Sequence, residues 1–181
     1  MTRVFINPGH APNGQPDPGA VNGTTGLREC DVAAAVGALV AQYLQSASCE
    51  VQVLQNDSLS LAVSTANQWW ADLFISIHCN SAANPAAKGA ETWYCKGSKR
   101  GEALADCIQR QLISSLPVID RGLKIATPGV NGLYVLTNTD MPACLVELAF
   151  ISNLEDEQLL ATRQDDFARA MARGITDYLS Q

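Results

Sequence analysis

Short apolar or alternating runs recur along the chain at Val4–Asn7, Glu50–Leu54, Leu73–Ile77, Glu91–Tyr94, Leu133–Leu136 and Ala143–Leu148. Runs of this length, rich in Val, Ile, Phe and Leu, are the pattern of strands buried in a sheet. Between several of them the apolar positions change to helical spacing. Val32, Val36, Leu39, Val40, Tyr43 and Leu44 fall on one helix face. The spacing predicts a second helix over Leu59–Trp70 and a third over Lys99–Leu116, with Leu104, Cys107, Ile108, Gln111 and Leu112 on one side. A last helix over Asp165–Leu179 carries Phe167, Met171, Ile175 and Tyr178 as its stripe. Strand alternating with helix predicts an α/β fold, a single domain over residues 1–181 with a twisted, mostly parallel six-stranded sheet flanked by helices. Ala11–Gly26 and Asn80–Gly89 are rich in turn residues, and Thr127–Gly132 holds the turn signals Pro128-Gly129 and Asn131-Gly132.

Composition narrows the function classes. With 181 residues, 47% of them hydrophobic and 17% charged, the chain has ample material for one covered core. A net charge of −6 argues against nucleic acid, which needs clustered Lys and Arg. No apolar run approaches the length of a membrane span. The first strand begins almost at Met1, which predicts no export leader in this chain. The cysteines Cys30, Cys49, Cys79, Cys95, Cys107 and Cys144 show no C-x-x-C spacing, so mostly free thiols are expected. Cys79 and Cys144 read as small buried hydrophobes.

The candidate chemistry lies at the ends of apolar runs. There are only two histidines. His10 closes Asn7-Pro8-Gly9-His10 and His78 closes Leu73-Phe74-Ile75-Ser76-Ile77-His78. Both placements put an imidazole at a sheet rim, where sites of open α/β sheets form. Each is read either as a metal ligand or as a core imidazole bonded to backbone. Two carboxylates could join them. Glu29, in Gly26-Leu27-Arg28-Glu29-Cys30-Asp31, opens a helix; taken alone, it simply suits the positive dipole end. Glu147 lies inside Ala143-Cys144-Leu145-Val146-Glu147-Leu148-Ala149-Phe150, apolar on both sides. An ionised carboxylate there needs an ion pair or a nearby metal. Cys79 is a poor partner for His78, because adjacent strand residues face opposite sides. Arg121 and Lys124 read either as contacts to substrate carboxylates or as a solvated loop. Asn80 and Asn67 read either as contacts at the site or as turn and helix caps.

These residues resemble the zinc-dependent N-acetylmuramoyl-L-alanine amidases of the amidase_3 type, cell-wall hydrolases, from Val4 to Tyr178. The resemblance rests on the motifs already quoted and on Asp17-Pro18-Gly19-Ala20, Ala66-Asn67, His78-Cys79-Asn80-Ser81, Gly89-Ala90-Glu91-Thr92-Trp93-Tyr94, Arg121-Gly122-Leu123-Lys124 and the block from Tyr134 to Asn153. It implies one Zn2+ per chain held by His10, Glu29 and His78, with Glu147 as catalytic carboxylate. It implies hydrolysis of the amide between N-acetylmuramic acid and L-alanine, with peptidoglycan as substrate. The alternatives are another, carboxypeptidase-like zinc peptidase with a basic pocket, or an inactive wall-binding module. Action at the cell wall follows, as an autolysin or endolysin. With no leader read, either one has been removed or release comes by another route such as phage lysis, and the compact form favours a phage or prophage lysin. In some cell-division members an extra helix after the strand ending at Tyr94 blocks the zinc; Cys95–Gly101 has no room for one, which predicts an open site. The chain departs from the family pattern at Asn7 (usually Asp), at Ala11-Pro12 (usually Gly-Gly), at Ala149 (commonly Gly) and at Leu54-Gln55-Asn56-Asp57, where an Arg is common.

Overall fold

A computed structural model describes residues 1–131 and 133–181, so the Asn131-Gly132 turn signal reaches Gly132, outside the described residues. Six strands, β1 (Arg3–Pro8), β2 (Glu50–Val53), β3 (Leu73–Asn80), β4 (Ala90–Cys95), β5 (Asp120–Ala126) and β6 (Ala143–Phe150), form one sheet in the order β2-β1-β3-β6-β4-β5. All pairings are parallel except β4 against β6. The carboxyl ends of β1, β3 and β6 therefore share one rim, while β4 and β5 end at the other. The helices are α1 (Glu29–Ser46), α2 (Leu59–Gln68), α3 (Lys99–Ser115), α4 (Tyr134–Thr137), α5 (Leu154–Thr162) and α6 (Gln164–Leu179). None is long and apolar enough to cross a membrane. The mostly parallel six-stranded α/β architecture is the one the alternation predicts.

Because strand side chains alternate between faces, each strand contributes to two layers. Val4, Ile6, Leu73, Ile75, Ile77, Cys144 and Val146 pack with the stripes of α1, α3 and α6. On the opposite face Phe5, Phe74, Ala143 and Leu145 pack with Val63 and Ala66 of α2 and Val135 and Leu136 of α4. That second cover is short. Two residues further along each strand the same face turns polar: Asn7 after Phe5, Ser76 and His78 after Phe74, Glu147 after Leu145. The site is the polar end of this half-covered face.

Three elements differ from the sequence reading. Leu133–Leu136 is not a strand; Val135 and Leu136 are buried side by side in α4, a one-sided pattern that alternation cannot produce. The strand that takes its place in the sheet is β5, which the reading missed because Asp-Arg-Gly-Leu-Lys-Ile-Ala opens on two charges and a glycine and carries only Leu123 and Ile125 as large apolar residues. As an edge strand it has little to bury. Helix α5 was also missed: three acids fill its first turn and Leu154 is exposed. All six cysteines are unpaired, and all but Cys95 are buried.

Candidate metal centre

After β1 the chain turns sharply, with the Gly9 N–H donating to the Ile77 carbonyl at 2.9 Å. This lays the turn across the end of β3, against the His78 ring. A Cβ on Gly9 would sit 2.3 Å from that ring, which is why the position is glycine. His10 follows at φ +68°, a left-handed conformation rare outside glycine and concentrated at functional sites. Its ring meets His78 edge-on, with centroids 5.0 Å apart. Glu29, the first residue of α1, is buried over the same rim. Its Oε2 accepts from the Ala20 N–H at 2.8 Å and its Oε1 from the Cys79 N–H at 3.0 Å. Gly19, also left-handed, lies so close that a Cβ there would be 2.5 Å from His10 and 2.6 Å from the Glu29 carboxylate.

The structure thus brings together the three residues read from the sequence. Glu29 Oε1 lies 2.9 Å from His10 Nε2 and 2.9 Å from His78 Nδ1. One donor atom from each of the three lies within 4.8 Å of the others, a group able to hold a metal ion. Two nitrogens and one carboxylate oxygen are a donor set that suits zinc. Although His10 Nε2 is near Glu29, it makes no well-directed hydrogen bond and is buried without a partner. A buried orphan atom needs a reason, and a cation between the three donors supplies one. Burial alone would lower the His10 pKa, but the carboxylates of Glu29 and Asp17 more than reverse this and carry it up to about 9. Burial opposes ionisation of Glu29 too, yet the close approach of the His10 and His78 imidazoles and the hydrogen bond from the Ala20 N–H hold its carboxyl well below the usual range. Glu29 is therefore an anion at any ordinary pH. Cys79 points into the opposite, apolar layer, and burial pushes its thiol up, so it stays a neutral hydrophobe beside the centre.

Supporting contacts surround this triad. Asp17 Oδ2 lies 2.7 Å from His10 Nδ1, and Asp17 Oδ1 accepts from the Gly19 N–H at 2.9 Å. A carboxylate on the far nitrogen fixes which nitrogen faces inward. The Gln55 amide donates to the Gly9 and Cys30 carbonyls at 3.1 and 2.9 Å, joining the two segments that carry His10 and Glu29. Asn7 donates to the Leu54 carbonyl at 3.0 Å and accepts from Ser76. An aspartate could not make the first of these bonds. The sequence reading missed Asp17 and Gln55 as functional residues; the signal for Asp17 was its Pro-Gly turn, which returns the chain to His10.

Glu147 stands beside His78 in register on β6, and Glu91 of β4 stands opposite Glu147. The two carboxylates differ sharply. Glu91 is fully paired: it accepts from Asn80 and Trp93, each at 3.1 Å, and from Arg121 at 2.7 Å, while the Arg121 guanidinium stacks over Phe150 at 4.8 Å. Glu147 Oε2 is buried with no partner. Burial, with the neighbouring charges of Glu29 and Glu91, pushes the Glu147 carboxyl up to about 7, against the opposing pull of the histidines. The buried ion pair considered for Glu147 belongs instead to Glu91. Arg121 lies on β5 rather than in a solvated loop, and Asn80 bonds Glu91 rather than capping a helix. Asn67 is not at the site: it bonds the Asn138 carbonyl and the Asp140 N–H at the other rim.

The shortness of Cys95–Gly101 is not what leaves the site open. Because β4 runs against β6, Cys95 ends beside Ala143, at the rim remote from Glu147. The shortness of Cys95–Gly101 therefore says nothing about access to the triad. A hollow of about 550 Å³ lined by Cys95, Ser98 and Ala143 lies at that remote rim too. The triad itself sits in the open, half-covered face, with both imidazoles partly exposed.

Comparison with known proteins agrees with this geometry. The Amidase_3 family, N-acetylmuramoyl-L-alanine amidase, matches residues 4–177. The chain is 38% identical to the uncharacterized protein YqiI of Bacillus subtilis, over 98% of this chain and 85% of that one. It is 37% identical to the N-acetylmuramoyl-L-alanine amidase LytC of the same organism, over 97% of this chain and 35% of that protein. Among solved structures, the amidase AmiC2 of Nostoc punctiforme superposes with a TM-score of 0.89 at 33% identity, covering 99% of this chain and 98% of that one. The chain belongs to the N-acetylmuramoyl-L-alanine amidase family.

Proposed function

We propose that this chain hydrolyses the amide between N-acetylmuramic acid and L-alanine in peptidoglycan, using one zinc held by His10, Glu29 and His78 and a proton carrier, Glu147. The observation that carries the reading is the pair of orphaned buried atoms, His10 Nε2 and Glu147 Oε2, on adjoining segments of one rim. Zinc with three protein ligands supplies Lewis acidity, acidifying water and polarising a carbonyl oxygen. The chain's own residues do the rest. Asp17 holds His10 with Nε2 inward. Glu29 contributes the negative charge and is itself fixed by two backbone N–H groups. Glu147, whose buried Oε2 has no partner, takes a proton from the attacking water at that oxygen and delivers it to the leaving amine nitrogen of L-alanine. Glu91, Asn80 and Arg121 wall off the β4 side of Glu147.

A carboxypeptidase-like reaction would need a basic pocket beside the triad; Arg121 is paired with Glu91, and Lys124, the other cation of β5, lies in register with Trp93, further from Glu147 along the sheet. A wall-binding module without activity would not need Glu147 at all. The site of action is the cell wall, with the chain working as a lysin or autolysin catalytic domain. The test is digestion of purified wall by the zinc-loaded protein. Release of intact glycan strands and of peptides with a free L-alanine amino terminus is expected. New reducing sugar ends, or free D-alanine alone, would overturn the reading.

A further inference from the structure

Two consecutive tryptophans follow helix α2, and the fold uses only one. Trp69 packs its ring against Phe5, with centroids 6.4 Å apart. Trp70 is 79% exposed. It also holds φ +57°, just past the helix C-cap, where glycine or asparagine is the easy choice. A β-carbon in that region is strained, and a bare indole gains little burial in return. Packing and turn chemistry therefore leave Trp70 unexplained. The indole borders a depression of about 500 Å³ at the rim opposite the metal centre. From Asp72 to His78 the strand carries the two apart by about 20 Å.

The rest of the depression is polar and preformed. Asn67 pins the facing segment by donating to the Asn138 carbonyl and accepting from the Asp140 N–H, each at 3.1 Å. The Asp140 carboxylate makes no hydrogen bond among the described residues. Asp72 Oδ2 accepts from the Arg3 N–H at 2.8 Å, leaving its other oxygen free. The Arg3 side chain is held by Glu50 and the Trp69 carbonyl. Met141 adds apolar floor. An indole face edged by carboxylates and a guanidinium is the chemistry that recognises a sugar ring: C–H groups stack on the indole, and hydroxyl and amide groups meet the flanking polar atoms.

We infer that Trp70, with Asp72, Asp140 and Arg3, forms a second, non-catalytic site for a β-linked N-acetylhexosamine glycan strand. The choice of glycan rests on the proposed peptidoglycan substrate; the site itself does not depend on the metal centre. It retains the protein on insoluble wall and leaves the scissile bond to the triad 20 Å away (about six strand residues). A shallow platform with one aromatic ring binds weakly, with Kd on the order of 1 mM.

The probe is a tetramer of β-1,4-linked N-acetylglucosamine, which lacks the muramyl amide. It is titrated into the full chain while the three indole N–H signals are followed by NMR. A saturable shift of the Trp70 signal is expected. Trp70→Asn, which suits the left-handed backbone and should fold, is expected to lower affinity at least tenfold. It should also reduce sedimentation with insoluble wall, and leave turnover of a soluble muropeptide unchanged. An unshifted Trp70 signal, equal affinity in the variant, or a Trp70-dependent dimer in sedimentation would overturn the proposal. If the wild-type chain cleaves no muramyl amide, the function proposed above fails, while the indole titration still reads this site.

Discussion

At the scale of single residues the site is a contrast between two glutamates on neighbouring strands. Glu91 has a partner for each oxygen; Glu147 keeps one oxygen free in a buried place. Glu147→Gln keeps the shape and cannot take a proton, so turnover should fall by roughly 10²–10⁴-fold with zinc content unchanged. Loss of zinc in parallel would make Glu147 a ligand. The same substitution has a pH signature in the metal-free protein. Folded Glu147 stays protonated up to about pH 7, while in the unfolded chain it ionises near its ordinary value of about 4.5. The folded state binds more protons in that window, so wild-type stability falls as pH rises through it. Glu147→Gln removes this loss and should gain on the wild type, by on the order of 3 kcal/mol, between pH 4 and pH 8. Urea midpoints in chelator measure it, and parallel wild-type and variant curves would refute it. Asp17 acts through His10. Asp17→Ala should weaken zinc binding by about 10–100-fold, the usual worth of such a partner, and should also lower the melting temperature of the metal-free protein at neutral pH, where Asp17 helps hold the proton of His10.

At the scale of elements, the strands that position the candidate site were legible because they are central and apolar. β1, β3 and β6 lie side by side in the middle of the sheet, covered on both faces, so each reads as a near-continuous apolar run. The polar endings Asn7, His78 and Glu147 stood out against that background. The missed elements are those whose burial is slight: β5 on an edge and α5 with its acidic first turn. Contacts made by turns were equally silent. Gln55 sits beyond β2 with no pattern to mark it, yet it ties the Gly9 turn to the start of α1. Gln55→Ala leaves two carbonyls without this donor and loosens the spacing of His10 relative to Glu29. A cost of about 1–3 kcal/mol in stability is expected from urea unfolding, together with weaker zinc binding. Unchanged zinc affinity would show that β1 and α1 fix the ligands without it.

At the scale of the whole molecule, the two apolar layers include none of His10, Glu29 and His78, so the fold is expected to stand without a metal. Replacing His78 with Ala, or removing zinc with a chelator, should abolish turnover while the cooperative thermal transition persists. The six unpaired thiols make a reductant equally harmless to melting. What a bound zinc would add is a stabilisation linked to pH. In the metal-free protein His10 keeps its proton up to about pH 9, held by Glu29 and Asp17 against the cost of burial. Zinc takes the neutral imidazole only, so each binding event below that pH must displace a proton. Affinity should therefore rise about tenfold per pH unit between pH 6.5 and 8.5 and level off near 9. Because ligand binding stabilises the folded state by mass action, the zinc-induced rise in melting temperature should grow over the same range. Competition with a chromophoric chelator across that range gives the slope. A slope of zero would mean that His10 is neutral before zinc arrives, or that it is not a ligand; a His10→Ala variant that binds zinc as tightly as the wild type would establish the latter.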